Sequence, residues 1–179
     1  MRIFEQYFYN MSKKKNPWKT WHPASVCTVC YILDGKGKVL LIERKKKGFG
    51  NGKVCAPGGH QEKGETTEQC CIRETLEEVG VKVSNPVHVG KLNFIIPGNN
   101  MEGHVYIATN YQGTPTESPE ARPFWADLAS LPFDRMFNDD TIWLPHALKY
   151  EPFTLYAICN KEGETLSYEI EFDSPELES

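Results

Sequence analysis

The sequence lacks any apolar run that approaches the ~18 residues needed by a membrane-crossing helix. It also lacks the short apolar core and small-residue cleavage site of a signal peptide, so we expect a cytoplasmic protein with no membrane partner. The net charge is only -4 and there is no basic field, which argues against binding to a nucleic-acid polymer. A small anionic ligand such as a nucleotide can still bind if a metal ion supplies the positive charge.

The six cysteines lack the spacing of a metal-binding set. Cys27 and Cys30 form a CxxC, but they lie in VCTVCYIL, which is typical of a strand. A separation of three on a strand sends two side chains to opposite faces, and no second ligand pair follows. We therefore predict buried structural thiols.

No linker or internal repeat divides the 179 residues, a length typical of one domain. Residues 1–22 are predicted to be an N-terminal extension, aromatic at first and then basic at Lys13, Lys14 and Lys15. Residues 23–179 are predicted to form the domain. The sequence leaves a monomer and a homodimer both open.

Apolar segments separated by turn residues predict a sheet with two helices. The predicted strands are VCTVCYIL and KVLLIER joined by a turn at 34–37, VHVGKLNFII, HVYIATNY, PFWAD, and a hairpin of FTLYAICN with TLSYEIEF. One helix is predicted over 66–79, capped by Thr66 or Thr67 and ended by Gly80. A second, short helix is predicted over 139–149 with an aspartate as its N-cap.

The helix over 66–79 has two different faces when its residues are placed about 100° apart. With Glu74 at zero, Glu78 falls at about +40° and Glu77 at about -60°. Ile72, Leu76 and Val79 fall on the opposite side, so we expect them to form the apolar stripe that faces the core. Three carboxylates then share the other face.

Two interpretations of these carboxylates are open from spacing alone. Most acidic faces are simply solvated, but like charges at i,i+4 and i,i+3 each oppose the helix by roughly a few tenths of a kcal/mol. Arg73 is the only basic residue near them in sequence. A hard divalent cation such as Mg²⁺ would relieve the repulsion directly.

The segment GHQEKGETTEQCCIRETLEEVGV, residues 59–81, resembles the signature box of the Nudix hydrolase family. The box is a Gly, five residues, a Glu, seven residues, then Arg-Glu-aliphatic-any-Glu-Glu-any-Gly-aliphatic. The positions in register are Gly59, Glu65, Arg73, Glu74, Glu77, Glu78, Gly80 and Val81. Thr75 departs by occupying an aliphatic position.

The resemblance implies an α/β fold, the Nudix-type α/β/α sandwich with a mixed β-sheet, and catalysis with Mg²⁺ or Mn²⁺. The implied metal ligands are Gly58 through its carbonyl, Glu74, Glu77, Glu78 and Glu120. Arg73 would orient the glutamates by charge-assisted hydrogen bonds. Glu65 would fix the loop or share a metal through water, and the general base stays unassigned.

Beyond the box, segments such as KKGFG, VGKLNF, QGTPTESPEARPFW and LPFDRMFNDD resemble the animal oxidised-purine nucleoside triphosphatases, a branch of that family. The resemblance implies that Asp139 and Asp140 recognise the purine edge, one of them holding its proton because burial raises its pKa. Phe49, Phe94, Met101 and Trp143 are expected to line the base pocket, although each residue type is also common in cores.

Two positions depart from that branch. Phe137 stands where a tryptophan stacks on the base, and Cys55 stands where an asparagine hydrogen-bonds it. A thiol replaces an amide poorly, so base discrimination is open. The hypotheses are therefore hydrolysis of a purine nucleoside triphosphate to monophosphate and pyrophosphate, hydrolysis of a dinucleoside polyphosphate, nucleotide sugar or capped RNA, and a non-catalytic nucleotide-binding module.

Overall fold

The structure, a computed structural model, describes residues 17–45 and 50–172. Within these ranges a 3-10 turn, Pro17–Thr20, precedes the sheet and helices. The strands are β1 (Ser25–Leu33), β2 (Lys38–Arg44), β3 (Val54–Cys55), β4 (Gly58–His60), β5 (Lys82–Ser84), β6 (Val87–Ile95), β7 (Met101–Ala108), β8 (Asn110–Gln112), β9 (Ala121–Asp127), β10 (Phe153–Cys159) and β11 (Thr165–Phe172). The helices are α1 (Thr67–Val79) and α2 (Asp140–Ala147).

Nine of the strands form one mixed sheet in the order β11-β10-β6-β7-β1-β2-β3, with β4 also pairing to β1 and β9 to β2. The pairs β1 with β7 and β6 with β10 are parallel, and the others in this sheet are antiparallel. Strands β5 and β8 form a separate antiparallel pair. The predicted mixed sheet and both predicted hairpins, β1–β2 and β10–β11, are confirmed.

The strand β2 shows how the sheet supports a core on each side. Val39 and Leu41 pack in the cluster that contains α2, whereas Leu40 and Ile42 pack in the cluster that contains α1. Successive side chains on a strand point to opposite faces, so a continuous apolar run is required when both faces are covered. The result is the predicted helix–sheet–helix sandwich.

The helix α1 begins and ends where the sequence predicts. The Thr66 hydroxyl accepts from the Gln69 backbone N–H at 3.1 Å, and the Gln69 side chain accepts from the Thr66 N–H at 2.8 Å, which completes a capping box. Gly80 ends the helix at φ 71°, a left-handed conformation that favours glycine.

The predicted apolar stripe of α1 is wrong in one member. Leu76 is 46% exposed, and the buried residues of the helix are Cys70, Cys71, Thr75 and Val79. The helix docks on the face centred near Thr75, whose hydroxyl donates to the Cys71 carbonyl at 2.7 Å and so has a partner inside the core. This rotation brings Glu78 to the edge of the buried face.

The second helix also departs from its prediction. Asp139 occupies the N-cap position of α2, but its side chain makes no capping hydrogen bond. Its carboxylate instead accepts a hydrogen bond from the buried Trp143 indole N–H. The segment HVYIATNY is likewise not one strand, because β7 ends at Ala108 and Asn110 starts β8.

All six cysteines are free thiols, and five of them are buried. Cys30 lies in the core beneath α1, whereas Cys27 shares the strand face of Val29 and Tyr31, which pack on the α2 side. The opposite faces of the CxxC are confirmed. No helix in the part of the chain that the structure describes is long and apolar enough to span a membrane.

Candidate active site

Two consecutive glycines form the floor of the site on β4. A side chain on Gly58 would clash with the backbone carbonyl of Thr28 on β1, and one on Gly59 would clash with the carboxylate of Glu74. Gly58 therefore lets β4 approach β1, and Gly59 lets the Glu74 carboxylate lie directly against the loop. Gly58 and Gly59 therefore each have a packing role.

Glu78 is tied to the same loop. Its Oε2 accepts from the backbone N–H of Gly58 at 2.9 Å. Burial raises the pKa of the Glu78 carboxyl, the Gly58 hydrogen bond and Arg44 oppose that rise, and the charges of Glu74 and Glu120 add to it. Glu74 and Glu120 thus both lie near enough to repel the charged Glu78 carboxylate.

Arg73 joins the loop to three glutamates. It donates from Nη2 and Nε to Glu65 at 2.6 and 3.1 Å, from Nη1 to Glu74 at 2.9 Å and to Glu77 at 3.1 Å, and from Nη2 to the His60 carbonyl at 3.0 Å. The planar guanidinium holds Glu65 by two parallel bonds, a geometry that lysine cannot provide. Arg73 thus contacts two of the three glutamates that the resemblance says it orients, Glu74 and Glu77, whereas Glu78 accepts from the Gly58 N–H.

Glu65 makes contacts within the loop in addition to its ion pair with Arg73 of α1. Its Oε1 accepts from the Glu62 N–H at 2.7 Å, and its carbonyl accepts from Gln61 Nε2 at 2.6 Å. The Arg73 hydrogen bonds, and next the Glu62 N–H, lower the pKa of the Glu65 carboxyl to about 2. Glu65 is therefore a permanent anion that fixes the loop against α1.

The donor set fits a hard divalent cation. Within residues 17–45 and 50–172, no three Asp, Glu, His or Cys side chains form a ready-made metal cage. Mg²⁺ rarely needs one, since it is usually held by one or two carboxylates together with waters and substrate phosphates. The repelling carboxylates of Glu74, Glu78 and Glu120 supply such oxygens, while the Glu77 side chain is 62% exposed and lies at the rim.

Asp139 and Asp140 are consecutive residues at the start of α2, and both are buried, 5% and 4% exposed. Asp139 Oδ2 accepts from the Trp143 indole N–H at 3.0 Å, and Asp140 Oδ2 accepts from the Phe137 backbone N–H at 3.1 Å. Burial raises the pKa of both carboxyls, and the charge of Asp139 raises that of Asp140 further. A neutral carboxyl in this pair can donate a hydrogen bond.

The other predicted base-pocket residues fall into two groups. Phe94 and Met101 are direct partners across β6 and β7 and pack in the core that contains α2, as does Trp143. Cys55 and Phe137 pack in the core beneath α1. Phe49 lies outside the described residues.

Asp140 links the two groups. Its charge reaches the thiol of Cys55, whose pKa is raised to about 12, mainly by burial. It also reaches the phenol of Tyr31, whose pKa burial raises well above its usual range. The candidate base pocket therefore lies where β3 meets the start of α2.

Sequence reasoning missed one residue of this region, Arg44 at the end of β2. Its charge acts on Glu78 and on Cys55, so it lies between the carboxylate helix and the candidate base pocket. The signal was present in KVLLIER, because Arg44 is two residues after Ile42 and so shares its face toward α1. The pairing of Ile42 with Cys55 on β3 could not be read from the sequence.

The mixed sheet with α1 packed on the β4 loop places the protein in the same structural class as a MutT protein from Bacillus halodurans. That crystal structure superposes with a TM-score of 0.73 at 26% identity, over 82% of this chain and 97% of the other.

The chain belongs to the Nudix family, because the NUDIX domain model matches residues 22–147. It is 43% identical to an oxidised purine nucleoside triphosphate hydrolase of Danio rerio over 122 residues, 67% of this chain and 78% of the relative. It is 38% identical to the protein of the same description in Mus musculus over 138 residues, 75% of this chain and 88% of the relative.

Proposed function

We propose that this protein hydrolyses purine nucleoside triphosphates, with oxidised purines preferred, to the nucleoside monophosphate and pyrophosphate. The observation that carries the proposal is the packing of Glu74 and Glu78 against Gly58 and Gly59, with Arg73 holding the loop and helix together. The two animal relatives are described as hydrolases of oxidised purine nucleoside triphosphates, which supports the choice of substrate. Such an enzyme would remove damaged nucleotides from the cytoplasmic pool, acting as a monomer or homodimer.

The metal site in this proposal consists of oxygen ligands from Glu74, Glu77, Glu78, Glu120 and the carbonyl of Gly58. When bound, Mg²⁺ or Mn²⁺ supplies positive charge to the phosphate oxygens and lowers the pKa of an attacking water. Arg73 keeps Glu74 and Glu77 aimed toward the metal, and Glu65 keeps Arg73 in place. A carboxylate of this set accepts the proton from the water.

The base in this proposal stacks on Phe137 and meets Asp139 and Asp140 at its edge. One aspartate donates as a neutral acid and the other accepts, so the pair matches a purine edge that carries both a donor and an acceptor. The Trp143 indole keeps Asp139 in position. Phe94 and Met101 add apolar surface beside the pair.

The proposal is tested by product analysis with Mg²⁺ and a panel of normal and oxidised nucleoside triphosphates, a dinucleoside polyphosphate and a nucleotide sugar. We expect monophosphate and pyrophosphate from the oxidised purine triphosphates. Glu78→Gln should lose at least about 100-fold in kcat, while Glu68→Gln, an exposed glutamate of the same helix, should keep its activity. A wild-type protein that turns over none of the triphosphates, or only the other two classes, would contradict the proposal.

A further inference from the structure

Arg44 carries a buried hydrogen-bond donor that has no partner. Its Nε is shielded from solvent and makes no hydrogen bond, and among the described residues the only other such side-chain atom is the Ser25 hydroxyl. An unmet donor on a charged group is costly in the ligand-free protein, because the group loses its water without gaining an acceptor. A ligand that supplied an acceptor to the Arg44 guanidinium would offset this cost.

The surroundings of this donor point to the base pocket. A side-chain carbon added to Gly50 would lie 2.9 Å from the ring atom Cζ of Phe137 and 3.3 Å from Nε of Arg44. The edge of the Phe137 ring and the Arg44 guanidinium therefore meet at one glycine. A base that stacked on Phe137 would therefore bring its edge beside Arg44.

Cys55 lies on the same side of this pocket. It is opposite Ile42 on β2, two residues before Arg44, and the Arg44 charge acts on its thiol. The thiol is buried and stays protonated, so it offers a ligand at most a weak donor. A stronger donor is thus present beside Cys55, the position at which the resemblance implies an asparagine amide.

We propose that Arg44 is a specificity-determining residue that donates a hydrogen bond to the 6-keto oxygen of the purine, in place of the amide that Cys55 lacks. The inference rests on the proposed function, since it assigns the base that the same pocket selects. A 6-oxo purine accepts at this edge, whereas a 6-amino purine presents a donor that faces the Arg44 cation.

The test measures binding of nucleoside monophosphates without metal, which isolates the base pocket from catalysis. Wild-type protein should bind 8-oxo-dGMP more tightly than the 6-amino analogue 8-oxo-dAMP. Arg44→Met should weaken 8-oxo-dGMP binding by about 10- to 100-fold and change 8-oxo-dAMP binding by less than about threefold. Arg44→Lys keeps the charge but not the planar donor, and it should lose most of the same preference.

A second variant provides a rescue. Cys55→Asn restores an amide donor next to position 44, so Arg44→Met/Cys55→Asn should recover at least about tenfold of the lost affinity for the 6-oxo ligand. Arg122→Met is the matched control, because its guanidinium is exposed and pairs with Glu43 at 2.6 Å on the other face of β2. Thermal unfolding of each variant checks that the fold is intact.

Three results would overturn the inference: equal weakening for both bases, which means a sugar or phosphate contact, no weakening at all, or no rescue by the asparagine. These results are independent of turnover. If wild-type protein fails to hydrolyse the triphosphates but still shows the Arg44-dependent binding preference, the proposed function fails and the base assignment stands. If it hydrolyses them and Arg44→Met weakens both bases equally, only the base assignment fails.

Discussion

Asp140 holds its carboxyl group where a negative charge is costly. Burial raises its pKa well above the ordinary value of 3.8, with Asp139 adding to the rise. Below 3.8 the folded and unfolded chains both hold the proton, so this group has no effect on stability. As the pH rises from there through the folded pKa, the unfolded chain ionises first and the folded state loses stability.

We therefore expect Asp140→Asn to be more stable than wild type at pH 7, by about 1 kcal/mol or more, with the difference disappearing near pH 4. The amide keeps an oxygen for the Phe137 N–H, so the hydrogen bond survives. Urea unfolding at several pH values measures the difference. Asp134→Asn, at an exposed position, should show no such trend, and a constant difference at every pH would contradict the pKa assignment.

At the scale of elements, the β4 loop separates a structural glycine from a functional one. Gly58→Ala would drive a methyl group into the Thr28 backbone, which cannot move without breaking the β1–β4 pairing. The nearest atoms that Gly59→Ala would meet are those of the Glu74 carboxylate, the end of a flexible side chain. We expect Gly58→Ala to destabilise the protein by at least about 2 kcal/mol, and Gly59→Ala by less than about 1 kcal/mol.

For the folded variants, we expect the loss of activity to be larger in Gly59→Ala than in Gly58→Ala, the opposite of their order in stability. Gly59→Ala displaces Glu74 from its place against the loop, so we expect kcat to fall by at least about tenfold while the melting temperature hardly changes. Denaturant unfolding and steady-state kinetics on the same preparations provide both readouts. Gly52→Ala tests left-handed strain alone, because that glycine has φ +76° and no neighbour within 4 Å.

The docking of α1 gives a second test at this scale. Val79 is fully buried and Leu76 is 46% exposed. We expect Val79→Ala to cost about 2 kcal/mol of unfolding free energy and Leu76→Ala less than about 0.5 kcal/mol. If Leu76 were the more costly of the two, the helix would be docked as the sequence pattern predicts rather than as the structure shows.

This helix also marks what the sequence can and cannot predict. Its ends follow from local chemistry, since Thr66 caps the start and Gly80 adopts the left-handed conformation at the end. The rotation of α1 about its own axis depends on the loop and sheet that it packs against. These contacts place its buried face closer to Glu78 than the sequence pattern predicts. The same limit explains Arg44, whose place beside Cys55 depends on the pairing of β2 with β3.

At the scale of the whole molecule, one face of the sheet packs against α1. Near the N-terminus of the described chain, two tryptophans pack on the sheet. The Trp18 ring contacts Tyr156 of β10 with centroids 5.1 Å apart, and the Trp21 indole N–H donates to the Phe94 carbonyl at 3.2 Å. The two tryptophan rings also contact each other, with their centroids 5.9 Å apart. Residues 17–22 belong to the predicted N-terminal extension, yet Trp18 and Trp21 contact the sheet.

We expect a chain that begins at residue 23 to be less stable than one that begins at residue 17 by about 2 kcal/mol, because removing Trp18 and Trp21 exposes the apolar surface beneath them. Trp21→Phe in the longer chain should keep most of that stability, since it loses the indole N–H but retains an aromatic ring. Urea unfolding of the three proteins makes the comparison. Equal stabilities of the two chain lengths would instead support a domain that starts at residue 23, with the tryptophan contacts too weak to matter against the entropy of ordering six residues.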